Sequence, residues 1–523
     1  MDSSGVSPPN KMPVGIDADA EDEYASQSKL LQEYTNISSI DKAWTFKSAS
    51  GSGSQAMFLI NQPNLLANKR RKHILSSNVL KDSNGSVSFQ WTPFPIEVTG
   101  ASVMVPSPSG SKLLVVRNSE NETPTKLEIW GPSQLEKELH VPQSVHGSIY
   151  SDGWFEGISW NSDENFIAYV AEEPAPSKPT FNDLGYKKEG STDKDCGSWK
   201  GQGDWEEDWG ETYAGKRQPA LFVININSGE VRSVEGVGRS LSVGQVVWAP
   251  STEGLPQYLV FVGWPSDARK LGMKYCYNRP CALYAVRAPF QGSEANALLD
   301  RANVPEDVTM LNLTPNITSA FFPCFSPDGK FLVFLSAKSS VDSGAHSATD
   351  SLHRIDWPTD GKQCPEVVDV VPVVMCAEDG CFPGLYWSNI LSKPWLSVGY
   401  TMILSSVWGS TQALLAVDVL RGKVSRISPS NSNLSWNVLA LDGDNIIAVC
   451  SSPIDVPQIK YGCLDENASS IATWNWLEVS SPITRCSEKV TSLLSSLQCS
   501  ILKIPVRNAS ENLTKGFAGA AVQ

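Results

Sequence analysis

Five histidines and no Cys-x-x-Cys pair are a poor stock for a metal centre in 523 residues. Structural zinc takes Cys or His pairs at short spacing, with further ligands in phase. The closest cysteines, Cys276/Cys281 and Cys376/Cys381, stand in C-x4-C spacing without such partners. No metal and no cofactor are expected. The eleven cysteines are odd in number and scattered, so they are expected to be buried free thiols. The N-terminus is polar and acidic, without the apolar core of a secretory signal or the Arg-rich look of a transit peptide. No apolar run approaches the roughly 18 residues of a membrane span. A soluble cytoplasmic protein is the expectation, and the sequons at Asn312 and Asn316 are expected to stay unmodified. Net charge is −14, which argues against nucleic acid as a partner. The exception is the basic run Lys69-Arg70-Arg71-Lys72-His73, read as a solvated loop between two strands.

What is plentiful points to strands. The chain carries 38 Gly, 34 Pro and 17 Trp. Gly and Pro punctuate turns. Aromatic and β-branched residues suit strands. Single cores usually stop growing at about 250–300 residues, a limit that repeat architectures escape. Residues 1–20 are rich in Ser, Pro and Asp and are expected to be disordered. In 21–40, the stretch EDEYASQSKLLQEYT (21–35) places Tyr24, Leu31 and Tyr34 at near-helical spacing and predicts a short helix that needs a surface to pack on.

One pattern then recurs: an apolar entry, a Ser/Asn-Pro-Asp-Gly-like turn and an apolar strand. It reads SPSGSKLLVV at 107–116, SWNSDENFIAYV at 159–170, VWAPSTEGLPQYLVFV at 247–262 and CFSPDGKFLVFL at 324–335, with a worn copy LALDGDNIIAVC at 439–450. Asp, Asn and Gly supply the backbone angles of tight hairpins. Strand–turn–strand pairs at 220–234 and 413–428 alternate with it. The spacing predicts an all-β fold: a β-propeller of about seven blades over 41–506, with limits near 41–97, 98–148, 149–236, 237–319, 320–378, 379–431 and 432–506, an insertion at 186–216, and a short N-terminal helix before it.

The stretch 329–340, GKFLVFLSAKSS, resembles propeller blades of the prolyl oligopeptidase clan. Two longer segments narrow the likeness. One is Trp205-Glu-Glu-Asp-Trp209-Gly-Glu211, followed by Leu221-Phe-Val-Ile. The other is Val260-Phe-Val-Gly-Trp264, followed by Lys270-Leu-Gly-Met-Lys-Tyr-Cys-Tyr-Asn278-Arg279 and Ala282-Leu-Tyr284. In order and spacing both resemble the propeller of acylamino-acid-releasing enzymes (acylaminoacyl peptidases), and most of all a plant member. The resemblance runs from about 25 to 513. It implies a seven-bladed propeller that caps an α/β-hydrolase domain bearing a Ser-Asp-His triad and restricts it to short N-acylated peptides. It also implies cytosolic location, an N-terminal helix packed on the hydrolase domain, and homo-oligomers.

In that family the hydrolase domain would follow Ser500-Ile-Leu-Lys-Ile-Pro-Val506, read as the last propeller strand. Residues 507–523 form a divergent tail where the hydrolase would begin, which reads as a truncated isoform or an incomplete gene product. No Gly-x-Ser-x-Gly elbow occurs. Ser7, Ser102, Ser159 and Ser240 follow a Gly at the right spacing, but Pro9, Met104, Asn161 and Ser242 stand where the second Gly is required. His146-Gly147-Ser148 is not an HGG loop, and His140, His146, His346 and His353 are expected at the surface or in packing. No catalytic residue is assigned. Candidate interface or substrate-gating residues are Trp205, Asp208, Trp209, Glu211, Asn278 and Arg279, the arginine as a bidentate carboxylate holder. Two functions remain open: the propeller part of an acylaminoacyl peptidase, inactive by itself, or a non-catalytic propeller that binds peptides, proteins or full-length subunits.

Overall fold

In a computed structural model the described residues lie within 18–522, apart from 48–52, 83–85, 119–122, 175–206, 251–256, 267–268, 291–309, 358–364, 465–473, 506–516 and a few single positions. Most of 1–20, most of the 186–216 insertion, Trp205 and the start of the C-terminal tail fall outside them.

Seven antiparallel sheets of four consecutive strands follow one another along the chain. They begin at Ser39, Val103, Ile158, Leu241, Phe321, Trp387 and Ser435, and these blades are numbered 1 to 7 in that order. Blade 1 carries an extra short strand, Ile96–Glu97. This is the expected seven-bladed β-propeller with a helix before it.

The recurrent turns join the first and second strands, and their chemistry is local. In blade 5 the Ser326 hydroxyl donates to Asp328 (2.8 Å) and accepts from the Phe331 amide (3.0 Å). Gly329 closes that turn at φ +72°, a backbone angle costly for any residue with a Cβ. The second and third strands are apolar because both their faces are covered by neighbouring blades; Ile167 to Ala171 are all fully buried.

Apolar clusters run round the ring. Leu59, Met104 and Val115 join blades 1 and 2. Leu127 and Ile129 meet Tyr169 and Phe222 between blades 2 and 3. The largest cluster spans blades 3 to 6, and Ile403, Leu414, Trp436 and Ile446 join blades 6 and 7. Phe58, Ile60, Ile447 and Tyr461 close the ring between blades 7 and 1.

Among the described residues no strand is exchanged between the first and last blades, and side chains hold that seam. Tyr461 is fully buried, and its hydroxyl donates to Asp442 at 2.6 Å. Lys81 of blade 1 lies 3.7 Å from the same carboxylate. Thr45 donates to the Leu441 carbonyl, and the Trp91 indole donates to the Ser480 carbonyl (2.8 Å). Tyr461→Phe should therefore cost about 1–3 kcal/mol, because a buried carboxylate loses its donor. Hydrogen exchange should rise in blades 1 and 7 first; a rise spread evenly over all blades would contradict a side-chain seam.

Four sequence expectations are corrected. Lys69–His73 is not a loop but the start of the strand Lys69–Lys81, paired with Ser54–Asn64, with Lys69, Arg70 and Arg71 exposed and Lys72 and His73 half-buried. Ser500–Pro505 is not a blade strand; it pairs with Phe517–Val522 outside the seven sheets. The helix begins at Ala18, and two further short helices occur, Lys338–Ser343 and Glu488–Ser495. Of the seven described cysteines, all free, only Cys281 and Cys450 are buried.

The N-terminal helix keeps its apolar residues outward: Tyr24 is 70% exposed and Leu31 59%. It touches the Glu488–Ser495 helix, where the Ser487 hydroxyl donates to Glu33 (2.6 Å). Both helices attach at the same side of the propeller. The chain enters strand one of blade 1 and leaves strand four of blade 7 there. We refer to this side as the helix face and to the opposite one as the turn face.

Candidate functional site

A cavity of 730 Å3 runs along the propeller axis. The first strands of blades 1 to 5 and the segment after the first strand of blade 6 line it. Trp44, Trp160, Trp248, Phe322 and Phe325 give it an aromatic wall. Its helix-face end is charged: Asp41, Lys42, Asp152 and Glu156 stand there, with Lys42 3.7 Å from Glu156.

Asp152 is the best-built group at this end. It sits in Ser151-Asp-Gly-Trp-Phe155, the link between blades 2 and 3. One carboxylate oxygen accepts from the Trp154 and Phe155 amides, each at 3.1 Å, and from the Tyr213 hydroxyl at 3.0 Å. Burial nevertheless holds the Asp152 pKa above the usual carboxylate value, and those hydrogen bonds only partly oppose it. Burial, with Asp152 nearby, pushes the Tyr213 phenol far up. Sequence reading passed over both residues. The Asp-Gly pair at 152–153 was the available signal, since an Asp before a Gly often caps its own turn.

The two segments singled out in the sequence meet beside this end. The Trp209 indole is buried and donates to the Ser242 hydroxyl (2.9 Å). Asp208 accepts from the Gly210 and Gly215 amides, both at 2.7 Å, and so folds its own loop. Glu211 reaches the second segment. Its carboxylate accepts from the amides of Met273 (3.0 Å), Lys274 (2.6 Å) and Tyr275 (3.4 Å). Gly272 is required there: its φ is +81°, and a Cβ would come within 2.6 Å of the Glu211 carboxylate. Tyr277 stacks on Trp154 with ring centres 6.2 Å apart, which packs this second loop behind the cavity-lining Asp152 and Gly153.

Arg279 is turned onto its own loop. It donates to the carbonyls of Gly272 (2.9 Å) and Leu271 (3.0 Å) and to the Asn278 side chain (3.2 Å). The described candidates Asp208, Trp209, Glu211, Asn278 and Arg279 thus bond within and between the two loops, and of Asp152, Tyr213 and Tyr277 only Asp152 lines the cavity, with Tyr213 bonded to it from behind. Glu211→Ala should strip three amides of their acceptor and cost about 1–3 kcal/mol. The loss should show as faster proteolysis confined to 266–281, and unchanged cleavage there would count against the clamp.

One Ser-His-Asp array does occur. Ser351 Oγ lies 2.7 Å from His353 Nε2, and His353 Nδ1 lies 2.8 Å from Asp369. The second contact is close but poorly aligned for a hydrogen bond. Ser351 and His353 are both 4% exposed, Phe334 stacks on the imidazole, and none of the three lines the axial cavity. All of these residues sit on adjacent strands of blade 5, so this is cross-strand packing within one blade. His146 is fully buried on Tyr169 and Phe222, whereas His140 and His346 are exposed.

The family profile described as "Acylamino-acid-releasing enzyme, N-terminal domain" matches residues 10–491. This chain belongs to the acylamino-acid-releasing enzyme family. It is 61% identical over 519 residues to the acylamino-acid-releasing enzyme of Arabidopsis thaliana, covering 99% of this chain and 67% of that protein. The rice enzyme 1 is 57% identical, covering 97% of this chain and 66% of the relative. The human acylamino-acid-releasing enzyme is 30% identical over 402 residues, 74% of this chain and 51% of its own length. The chain therefore spans about two thirds of its plant relatives. Prolyl oligopeptidase B of Galerina marginata shares the fold, with a TM-score of 0.51 and 11% identity over 94% of this chain and 57% of that one. Among acylamino-acid-releasing enzymes the matched part is the N-terminal domain, and here it is the propeller. Among the described residues no helix is long and apolar enough to cross a membrane.

Proposed function

We propose that this chain is the access-controlling propeller of an acylaminoacyl peptidase: it packs its helix face on a hydrolase domain and admits only short N-acylated peptides, while the nucleophile comes from outside these 523 residues. The observation that carries the reading is the axial cavity, whose helix-face end holds Asp41, Lys42, Asp152 and Glu156, with the two clamped loops joined to that end through the bond from Tyr213 to Asp152. That is also the face where the chain enters and leaves the ring. A rigid rim suits a filter, because exclusion by size needs a wall that does not yield. Asp152 stands at the rim, Tyr213 backs it, and Asp208, Trp209, Glu211, Asn278 and Arg279 hold the loops behind it. The absence of a Gly-x-Ser-x-Gly elbow from the sequence supports a nucleophile supplied elsewhere. The free cysteines fit a reducing cytoplasm.

The test is a chimera of this chain with the remaining third of the Arabidopsis relative. It should hydrolyse an N-acetyl-alanyl anilide and discriminate against long acetylated peptides. Equal turnover of both lengths would reject access control.

A second reading, association with another subunit, rests on the outward apolar residues of the helix face. Leu66 is 88% exposed, and Tyr24 and Leu31 stand nearby on the helix. Light scattering on the purified chain distinguishes a monomer from an oligomer.

A further inference from the structure

Blade 6 departs from the turn pattern of its neighbours. In blades 2, 3 and 5 the first and second strands are joined by short Ser/Asn-capped turns at 107–112, 161–165 and 326–330. In blade 6 the first strand is only Trp387–Asn389, and the second begins at Thr401. The connection leaves the blade, and Ile390, Leu391, Ser392 and Lys393 line the axial cavity. The Lys393 ammonium then donates to the Pro108 carbonyl at 2.9 Å. Pro108 belongs to the first turn of blade 2, so this bond joins two blades that are not neighbours and crosses the turn-face end of the cavity.

The far anchor is itself braced. The Ser109 amide donates to Glu164 of blade 3 at 2.6 Å, and the Ser111 hydroxyl to the same carboxylate at 3.4 Å. Lys393 is exposed as a residue, yet its ammonium end is partly shielded from water, which holds its pKa below the usual lysine value while the Glu164 carboxylate opposes that fall. The near anchor is on blades 6 and 7. Pro394 is buried, the Leu396 amide donates to the Thr401 carbonyl (3.0 Å), and the Ser397 amide donates to Asp444 (2.6 Å).

We propose that residues 390–397 are a strap across the turn-face end of the cavity, latched by Lys393 on Pro108, so that peptide-sized solutes are admitted from the helix face only. The proposal rests on the reading that the cavity is the access route. Size selection then needs one filter instead of two, and Lys393 is its specificity-setting residue at the turn face.

Cys324 reports on the latch without any catalytic assay. It is a free thiol in the first strand of blade 5, it lines the cavity, and Trp395 lies beside it. In the native chain a small methanethiosulfonate should modify Cys324, and a polyethylene-glycol maleimide should be excluded. Modification is read at that peptide by mass spectrometry. Lys393→Ala should raise the rate with the large reagent about tenfold or more, the population change expected when a charge-assisted hydrogen bond is lost. Lys393→Arg retains a donor for the Pro108 carbonyl and should restore exclusion. Lys393 is exposed, so the variants should fold; Lys393→Met, which keeps the length of the side chain without its donor, offers a second route and should admit the large reagent as Lys393→Ala does. Large-reagent rates that are equal in the native chain, Lys393→Ala and Lys393→Met would overturn the strap. Such a failure leaves the chimera result untouched, so the two readings fail separately.

Discussion

Phe155→Ala should destabilise the propeller by about 3–5 kcal/mol, the range for deleting a fully enclosed aromatic ring. Phe155 is wholly buried where the link between blades 2 and 3 turns into the cavity rim. Its ring centre lies 4.7 Å from that of Tyr213, 5.4 Å from those of Tyr150 and Trp264, and 6.0 Å from that of Trp209. Four aromatic neighbours from three segments cannot collapse together into the space it leaves, because each is held by its own hydrogen bonds or strand. Tyr150 donates to the Arg217 carbonyl at 2.5 Å, and Trp209 donates to Ser242. The cost should be read by urea denaturation. Limited proteolysis should also find 207–216 newly sensitive, since Trp209 and Tyr213 lose their common support. Phe155→Leu retains most of the volume and should cost under about 1.5 kcal/mol. A cost below about 1 kcal/mol for the alanine variant would mean that the rim is not packed as described.

Acid should weaken the fold through His146. This side chain is wholly buried, with Nδ1 on the Gly147 carbonyl (2.7 Å) and Nε2 accepting from the Tyr169 hydroxyl (2.8 Å). Burial pushes its pKa down to about 4 from the ordinary 6.5, and the Gly147 carbonyl opposes the fall only in part. The unfolded chain therefore binds this proton more readily than the folded one. Stability from the neutral imidazole is complete above about pH 6.5 and is lost as the pH falls toward about 4. Between pH 7 and pH 5 the loss should be about 2 kcal/mol. The carboxylates titrate in the same direction at lower pH, so the informative quantity is the difference between native chain and His146→Gln. That difference should shrink by about 2 kcal/mol across the interval. A difference independent of pH would show that His146 titrates normally.

The fold was legible wherever a blade used local turn chemistry. Ser326-Pro-Asp-Gly329 names its own hairpin, because the Ser and Asp side chains satisfy the turn amides without outside help. Blade 6 has no such turn, and the strap that replaces it was not foreseen. Its partner, Pro108, stands 285 residues away in the chain. The candidate site was legible in part for the same reason. Residues 205–211 and 270–279 stood out by resemblance, and the described ones do meet through Glu211. Their roles were not readable, because Arg279 donates to carbonyls of its own loop and Asp208 accepts from amides of its own. Asp152 and Tyr213 were missed because their bond spans 61 residues and leaves no periodic trace. The strand Ser500–Pro505 was assigned to the ring on hydrophobic pattern alone, which cannot distinguish a blade strand from a hairpin beside it.

The central claim is that this chain contributes the filter and not the nucleophile. Its most direct test is to incubate the purified chain with a fluorophosphonate label and, in parallel, with an N-acetyl-alanyl anilide. The account expects neither labelling nor turnover. Turnover together with one labelled serine would contradict it, and the labelled residue, whether Ser351 beside His353 or another, would show where the hydrolytic centre lies.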